Sequence, residues 1–199
     1  MKRGEKPCME TKRLIKDAFI ELLAEKSYSK ITVNDITAAC GLSRNTFYYH
    51  YQDIPSLLEE ILEDWFDPLI DDFVHVETLG EGILIITDVF KKYKDQFLNL
   101  YHDTEKMWVF RKLSELAMLL AEHFIDFQTK DNPLPEKDRQ VFLRFYKAYF
   151  SGLVLDWLED DLNYDMAEYI HKFTYWFAEP LESLLKRAQN NPEISPEDK

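Results

Sequence analysis

A chain of 199 residues can bury one large or two small cores, and 46% hydrophobic with 31% charged residues excludes a disordered polymer. Only five glycines, with apolar residues recurring every three or four positions, exclude a strand-based architecture and predict an all-α fold. The net charge of −13 argues against a nucleic-acid partner until its distribution is read: residues 1–52 hold nine Lys/Arg against six Asp/Glu, a +3 segment ahead of a −16 remainder.

Residues 1–9 form a basic arm, expected to be flexible. From Thr11 the spacing of Leu14, Ile15, Ala18, Phe19, Leu22 and Leu23 predicts an amphipathic helix ending near Lys26, with Tyr28 and Ile31 anchoring the next helix to it. Thr32 suits a helix N-cap, and Asp35 three residues on can reach back to it in a variant capping box. That helix carries Val33, Ile36 and Ala39 and stops at Cys40-Gly41, where glycine fits the left-handed residue that ends a helix. Ser43 then caps a second short helix, Arg44 to about His50, with Leu42, Phe47 and Tyr51 facing a core. Two short helices joined by a glycine-bearing turn make a helix-turn-helix, whose second helix can enter a DNA major groove.

The run Asp35 to Tyr51, D-I-T-A-A-C-G-L-S-R-N-T-F-Y-Y-H-Y, resembles the DNA-binding signature of the TetR/AcrR family of transcriptional regulators. Ala38 or Ala39, Gly41, Leu42, Ser43, Thr46, Phe47, Tyr48, His50 and Tyr51 fall on the family's core pattern, A-x-x-x-G-[VL]-S-x-x-[TA]-[LF]-Y-x-[HY]-F. The resemblance implies a three-helix DNA-binding head on a helical body. An ordinary helical hairpin inside a bundle is the structural alternative.

In a DNA reader the work divides by residue type. Ser43, Arg44, Asn45 and Thr46 open the second helix, where Arg44 can grip guanine O6/N7 and Asn45 can pair with adenine. Tyr48, Tyr49 and His50 lie toward its end and suit phosphate oxygens, although both tyrosines are equally compatible with packing. Lys30 and Thr32 add backbone contacts from the preceding turn.

Asp53 can cap the next helix, with Ile54 and Pro55 in its first turn and Leu57, Leu58, Ile61, Leu62, Trp65 and Leu69 as its apolar stripe; Pro68 predicts a kink or break. The resemblance implies a phosphate-contacting lysine near the start of this helix, but Ile54 stands in its place. Gly80-Glu81-Gly82 is expected in a loop, Ile83 to Tyr101 in one helix, residues 103–128 in one or two, and residues 129–137 in a proline-bearing loop.

Two long helices follow, about Glu136 to Glu159 and about Tyr164 to Ala188, before a polar tail at 189–199. Their apolar faces are wider than one neighbour covers, which predicts a four-helix interface with a second copy. Gly152, Leu153, Trp157, Tyr169, Phe173, Trp176, Phe177 and Leu184 are the candidate interface residues. In TetR-like proteins the last two helices serve this purpose. The run Phe145 to Leu162 is also similar to the C-terminal part of a subgroup that includes regulators of dihydroxyacetone kinase operons.

Phe90, Tyr93, Phe97, Trp108, Phe110, Phe124, Phe145 and Tyr149 are candidates to line an apolar effector pocket, with Asp156, Glu115 and His123 as polar tips; the alternative is that they fill a core. No cofactor is expected. Five histidines without H-x-x-x-H or H-E-x-x-H spacing predict no metal site, and Ser27-x-x-Lys30 lacks the companion motifs of a catalytic serine. Two cysteines, Cys8 and Cys40, make no disulfide framework, and the longest apolar runs are too short to span a bilayer, so a cytoplasmic protein is expected. The expected domains are a head at 1–52, a ligand-binding and dimerisation body at 53–188, and the tail. The expected function is a homodimeric repressor that binds a roughly palindromic operator and is released by a small molecule. A helical dimeric interaction module without specific DNA binding is the alternative.

Overall fold

The computed structural model describes residues 5–74, 76, 79–177, 183 and 190. Among them the chain is all-helical, with no strand: α1 (Glu5–Glu25), a 3-10 turn (Tyr28–Lys30), α2 (Val33–Cys40), α3 (Arg44–His50), α4 (Ile54–Val74), α5 (Leu79–Lys92), α6 (Lys94–Asp103), α7 (Lys106–Gln128), α8 (Glu136–Glu159) and α9 (Met166–Phe177). These helices gather into two compact units, one holding Met1–Asp67 and Lys92–Lys106, the other Pro68–Lys91 and Met107–Lys199. The unit around the helix-turn-helix is therefore larger than residues 1–52, taking in the first part of α4 and all of α6.

In the first unit, Ile15, Ala18, Phe19 and Leu23 of α1 are buried together with Ile36, Phe47, Tyr51, Leu57, Leu58, Ile61 and Trp65. Residues 5–9, expected in a flexible arm, form the first turns of α1, and Pro7 is tolerated there because the first N–H groups of a helix have no intrahelical partner. Tyr28 meets Phe19 edge to face at 6.4 Å and so anchors the head to α1 as expected, and Ile31 is buried. Charges tie α1 to α4: Lys12 and Lys16 each lie 2.7 Å from the Glu60 carboxylate. From α6, Asn99 Nδ2 donates to the carbonyls of Leu23 (2.9 Å) and Ala24 (3.3 Å), and Gln96 Nε2 to that of Ile20 (3.3 Å). The Asn99 amide thereby satisfies orphan carbonyls in the last turn of α1, which has no basic residue there to do so.

Of the kink or break expected at Pro68, the break does not occur: α4 continues through that residue, and the division between the two units falls between Asp67 and Pro68. Two other expected boundaries differ. Gly80 and Gly82 lie in the first turn of α5 rather than in a loop; glycine weakens a helix least where the backbone is already half free, and the Ile83–Ile86–Phe90 stripe follows directly. The single helix expected over Ile83 to Tyr101 is interrupted at Tyr93, whose backbone leaves helical values (φ −113°, ψ 35°) as its ring stacks on Trp65 at 4.0 Å.

The second unit packs α5, α7, α8 and α9 around Ile86, Phe90, Leu120, Phe124, Ile125, Phe150, Val154 and Trp157, all buried. Two serines that face this core are bonded: Ser114 Oγ donates to Ser151 Oγ across α7 and α8 (3.2 Å), and Ser151 Oγ in turn to the Lys147 carbonyl (2.7 Å). A two-pronged pair of Arg139 with Asp126 (3.0 and 3.1 Å) also joins α7 to α8. The α8–α9 turn places Asp161 and Leu162 at positive φ (53° and 57°), and Asp165 caps α9 by accepting from Ala167 N–H at 2.9 Å.

Candidate nucleic-acid interface

The interface is built from two cap motifs and one left-handed glycine. Thr32 Oγ1 accepts from Asp35 N–H (3.2 Å) while the Asp35 carboxylate accepts from Thr32 N–H (2.8 Å) and from its hydroxyl (2.7 Å), a reciprocal capping box that starts α2. Gly41 ends α2 in the left-handed region (φ 68°, ψ 26°), where a Cβ is strained. Ser43 Oγ accepts from Thr46 N–H at 3.1 Å and starts α3.

Hydrogen bonds from the Thr32 hydroxyl and backbone, helped by Lys26 at 3.1 Å, hold the Asp35 carboxyl down at about 2. An unfolded aspartate titrates near 3.9. The folded state therefore gains from ionised Asp35 fully above about pH 4, and that gain is lost as pH falls toward 2. We expect wild-type unfolding midpoints to drop over this interval more steeply than those of Asp35→Asn. At neutral pH, Thr32→Ala is expected to cost about 1 kcal/mol in denaturant unfolding.

With Ser43 and Thr46 occupied in the cap, where their hydroxyls lie 2.8 Å apart, the free face of α3 is carried by Arg44, Asn45, Tyr48 and Tyr49. Tyr49 is 81% exposed and Tyr48 about half, so neither ring is packed away. The Arg44 guanidinium lies 6.0 Å from the Tyr48 ring centre, at the outer reach of a cation–π contact. His50 is half-buried and meets Tyr49 edge to face at 5.0 Å. Phe47 is fully buried, with Tyr48 at 5.5 Å and Tyr51 at 5.9 Å, and it fixes the helix to the core. Lys30 and Thr32 are exposed on the turn before α2.

At the start of α4, Asp53 and Ser56 cap one another: Ser56 N–H donates to Asp53 Oδ1 (2.8 Å), and Asp53 N–H to Ser56 Oγ (3.2 Å). The position beside the missing lysine thus already holds a carboxylate on one of the backbone donors a phosphate would use.

The eight aromatic candidates for an effector pocket are spread over both units. Tyr93 and Phe97 belong to the first unit, where Phe97 meets Trp65 at 5.3 Å. In the second, Phe124 is fully buried, Trp108 and Tyr149 are half-buried, and Phe110 and Phe145 are exposed. Phe90 alone of the eight borders a cavity of about 10 Å³ between α5, α7 and α8, whose other walls include Ile86, Leu113, Ala117 and Phe150. That is room for about one water molecule. Of the polar candidates, Asp156 accepts from Tyr164 Oη (3.2 Å), Glu115 pairs with Lys112 (3.2 Å), and His123 bonds the Leu119 carbonyl (2.8 Å).

The candidate interface residues also divide. Leu153 and Trp157 are covered by their own chain; Trp157 Nε1 donates to the Tyr164 carbonyl (3.0 Å) and its ring faces Phe90 at 6.1 Å. Gly152, Tyr169 and Trp176 are exposed and Phe173 is half-buried, while the side chain of Phe177 and all of Leu184 lie outside the described residues. A ladder of rings crosses from α8 to α9, with Phe145 on Tyr149 (6.3 Å), Tyr149 on Phe173 (5.1 Å) and Phe173 on Tyr169 (6.4 Å). Phe145, named on sequence grounds for the pocket, stands on this open ladder instead.

Sequence reasoning missed the α6 side chains Gln96, Asn99 and Asp103, which grip α1 and the turn after it from more than 70 residues away. No local pattern marks such long-range partners.

Comparison with known proteins agrees with this arrangement. Residues 15–61 match the family described as bacterial regulatory proteins, tetR family, and residues 77–177, just over half of the chain, match a transcriptional regulator C-terminal region. The HTH-type transcriptional regulator YxbF of Bacillus subtilis is 22% identical over 156 residues, 74% of this chain and 39% of that protein. A second Bacillus subtilis regulator, YuxN, is matched over 43% of its length, so the chain spans about two fifths of these relatives. The dhaKLM operon transcriptional activator DhaS of Lactococcus lactis is 37% identical over 62 residues, 31% of this chain and 33% of DhaS. Among solved structures, a TetR transcriptional regulator from Streptococcus agalactiae superposes with a TM-score of 0.56 at 27% identity, covering 94% of this chain and 95% of that one. A dihydroxyacetone kinase operon activator DhaS shares the fold, with a TM-score of 0.67 at 18% identity over 89% of this chain and 95% of that one. These matched families and relatives are regulators, not enzymes, and among the described residues no helix is long and apolar enough to cross a membrane. The chain belongs to the TetR family of bacterial transcriptional regulators.

Proposed function

We propose that the protein is a homodimeric, sequence-specific operator-binding repressor whose affinity for DNA is set by a small-molecule effector. The observation that carries the DNA reading is the exposed face of α3, where Arg44, Asn45, Tyr48 and Tyr49 stand clear of the core that holds Phe47. Arg44 and Asn45 have the donors and acceptors that discriminate base edges, and Lys30, Thr32, Tyr48, Tyr49 and His50 surround them with groups suited to phosphate. A salt titration of a specific complex tests it. Affinity should fall steeply and linearly on logarithmic axes, by about 0.9 per phosphate contact, whereas an interaction module shows no specific complex at any salt.

The homodimer reading draws on the α8–α9 ring ladder and on Trp176 (63% exposed) and Tyr175 (82%), a large aromatic face for one chain to leave in water. A second copy about a two-fold axis covers both faces with one contact. Trp176→Glu is expected to weaken self-association by about thirtyfold or more in sedimentation experiments, the range of a buried aromatic anchor. An unchanged association constant would place the interface elsewhere. In a dimer the two α3 helices read two half-sites, so the operator is roughly palindromic.

A second reading, activation rather than repression, is favoured by the likeness, 37% identical over 62 residues, to DhaS, a transcriptional activator. A promoter fusion assayed with and without the protein separates the two by the sign of the response.

A further inference from the structure

The 3-10 turn that carries Lys30 is held in place from α6. Ser29 N–H donates to the carboxylate of Asp103, 74 residues on. Asp103 is the last residue of α6, at the negative end of the helix dipole, where a carboxylate is disfavoured unless something answers it. Ser29 answers it with hydrogen bonds and Lys30 with charge, and together they hold the Asp103 carboxyl below its ordinary range. Gln96 and Asn99, three and four residues apart from one another and from Asp103 along the same helix stripe, bond the last turns of α1 immediately upstream. One stripe of α6 thus fixes the exit of α1 and the turn that leads to Thr32.

We propose that Asp103 is a positioning residue for DNA binding, fixing the backbone of the Ser29–Lys30 turn so that the Lys30 ammonium meets a DNA phosphate beside the start of α2. This rests on the DNA-binding reading above. Asp103 does not itself touch DNA; as an anion it repels the phosphates, so its value lies in the acceptor oxygen and the geometry that oxygen imposes.

The test compares Asp103→Asn with Asp103→Ala in the full-length protein. Both remove the charge, and Asp103 is exposed, so neither disturbs a core. Only the asparagine keeps an acceptor for Ser29 N–H. The probe is the duplex recovered from a random pool by the wild-type protein, titrated at several salt concentrations. The alanine variant should bind about three- to tenfold more weakly than the asparagine variant, with a salt slope smaller by about one phosphate contact. Lys30→Ala should show the same smaller slope, and adding Asp103→Ala to it should cause no further loss. In the absence of DNA, amide exchange at Ser29 should quicken in the alanine variant alone. Equal affinities and slopes for the two Asp103 variants, or losses that add with Lys30→Ala, would overturn the proposal. A wild-type protein that recovers no duplex would remove the DNA reading itself, a distinct failure.

Discussion

Arg44→Ala is expected to weaken operator binding by roughly ten- to a hundredfold, the effect of one bidentate base contact worth about 1–3 kcal/mol. The loss should be accompanied by relaxed preference at a single base position in each half-site, because the phosphate contacts of the other residues remain. Arg44 is exposed at the first position of α3, and its one described ring partner is Tyr48 at 6.0 Å, so thermal unfolding should be nearly unmoved. Alanine is moreover a good helix former. Gel-shift titration beside a melting curve measures both quantities on the same preparation. Affinity and base preference unchanged from wild type would remove Arg44 from the reading surface.

Phe47→Ala tests the other side of the same helix and should act by the opposite route. The ring is fully buried between Tyr48 and Tyr51, and truncating a buried phenylalanine costs about 3–5 kcal/mol through lost burial and the cavity left behind. A loss of this size is comparable to the whole stability of a small unit, so we expect the helix-turn-helix to unfold and DNA binding to vanish. Denaturant unfolding should show the change directly. Phe47→Leu, which keeps most of the volume, should retain a folded head with reduced stability. A Phe47→Ala protein that unfolds within about 1 kcal/mol of wild type would mean that α3 is not held as described.

These two side chains sit three residues apart, and their opposite placements, one exposed and one buried, were legible from the sequence because the chemistry of a short helix is local. The Thr32–Asp35 box, the left-handed Gly41 and the Ser43 cap each follow from residues within one turn of one another. The choice between packed and exposed for Tyr48 and Tyr49 was not legible, since a seven-residue helix gives too few turns to define a face; the packing of Phe47 decides it. Longer-range features were illegible for a related reason. The interruption at Tyr93 falls inside an unbroken apolar pattern with no glycine or proline, and the ring stacked on Tyr93 there, Trp65, lies nearly thirty positions earlier. Conversely, Pro68 and Gly80-Glu81-Gly82 carry strong local markers of a break, yet α4 continues through the first and α5 holds the second in its opening turn. In the body, aromatic spacing alone could not separate rings that fill a core, such as Phe124 and Trp157, from rings that stand in solvent, such as Phe145 and Trp176.

The most direct measurement is selection of duplexes from a random pool by the full-length protein at physiological salt, with sequencing of the retained DNA. A homodimeric reader should enrich a two-fold symmetric site whose half-sites lie on one face of the DNA, with the enrichment lost in Arg44→Ala. A retained pool as random as the starting one, at a protein concentration where the chain is folded, would contradict this reading.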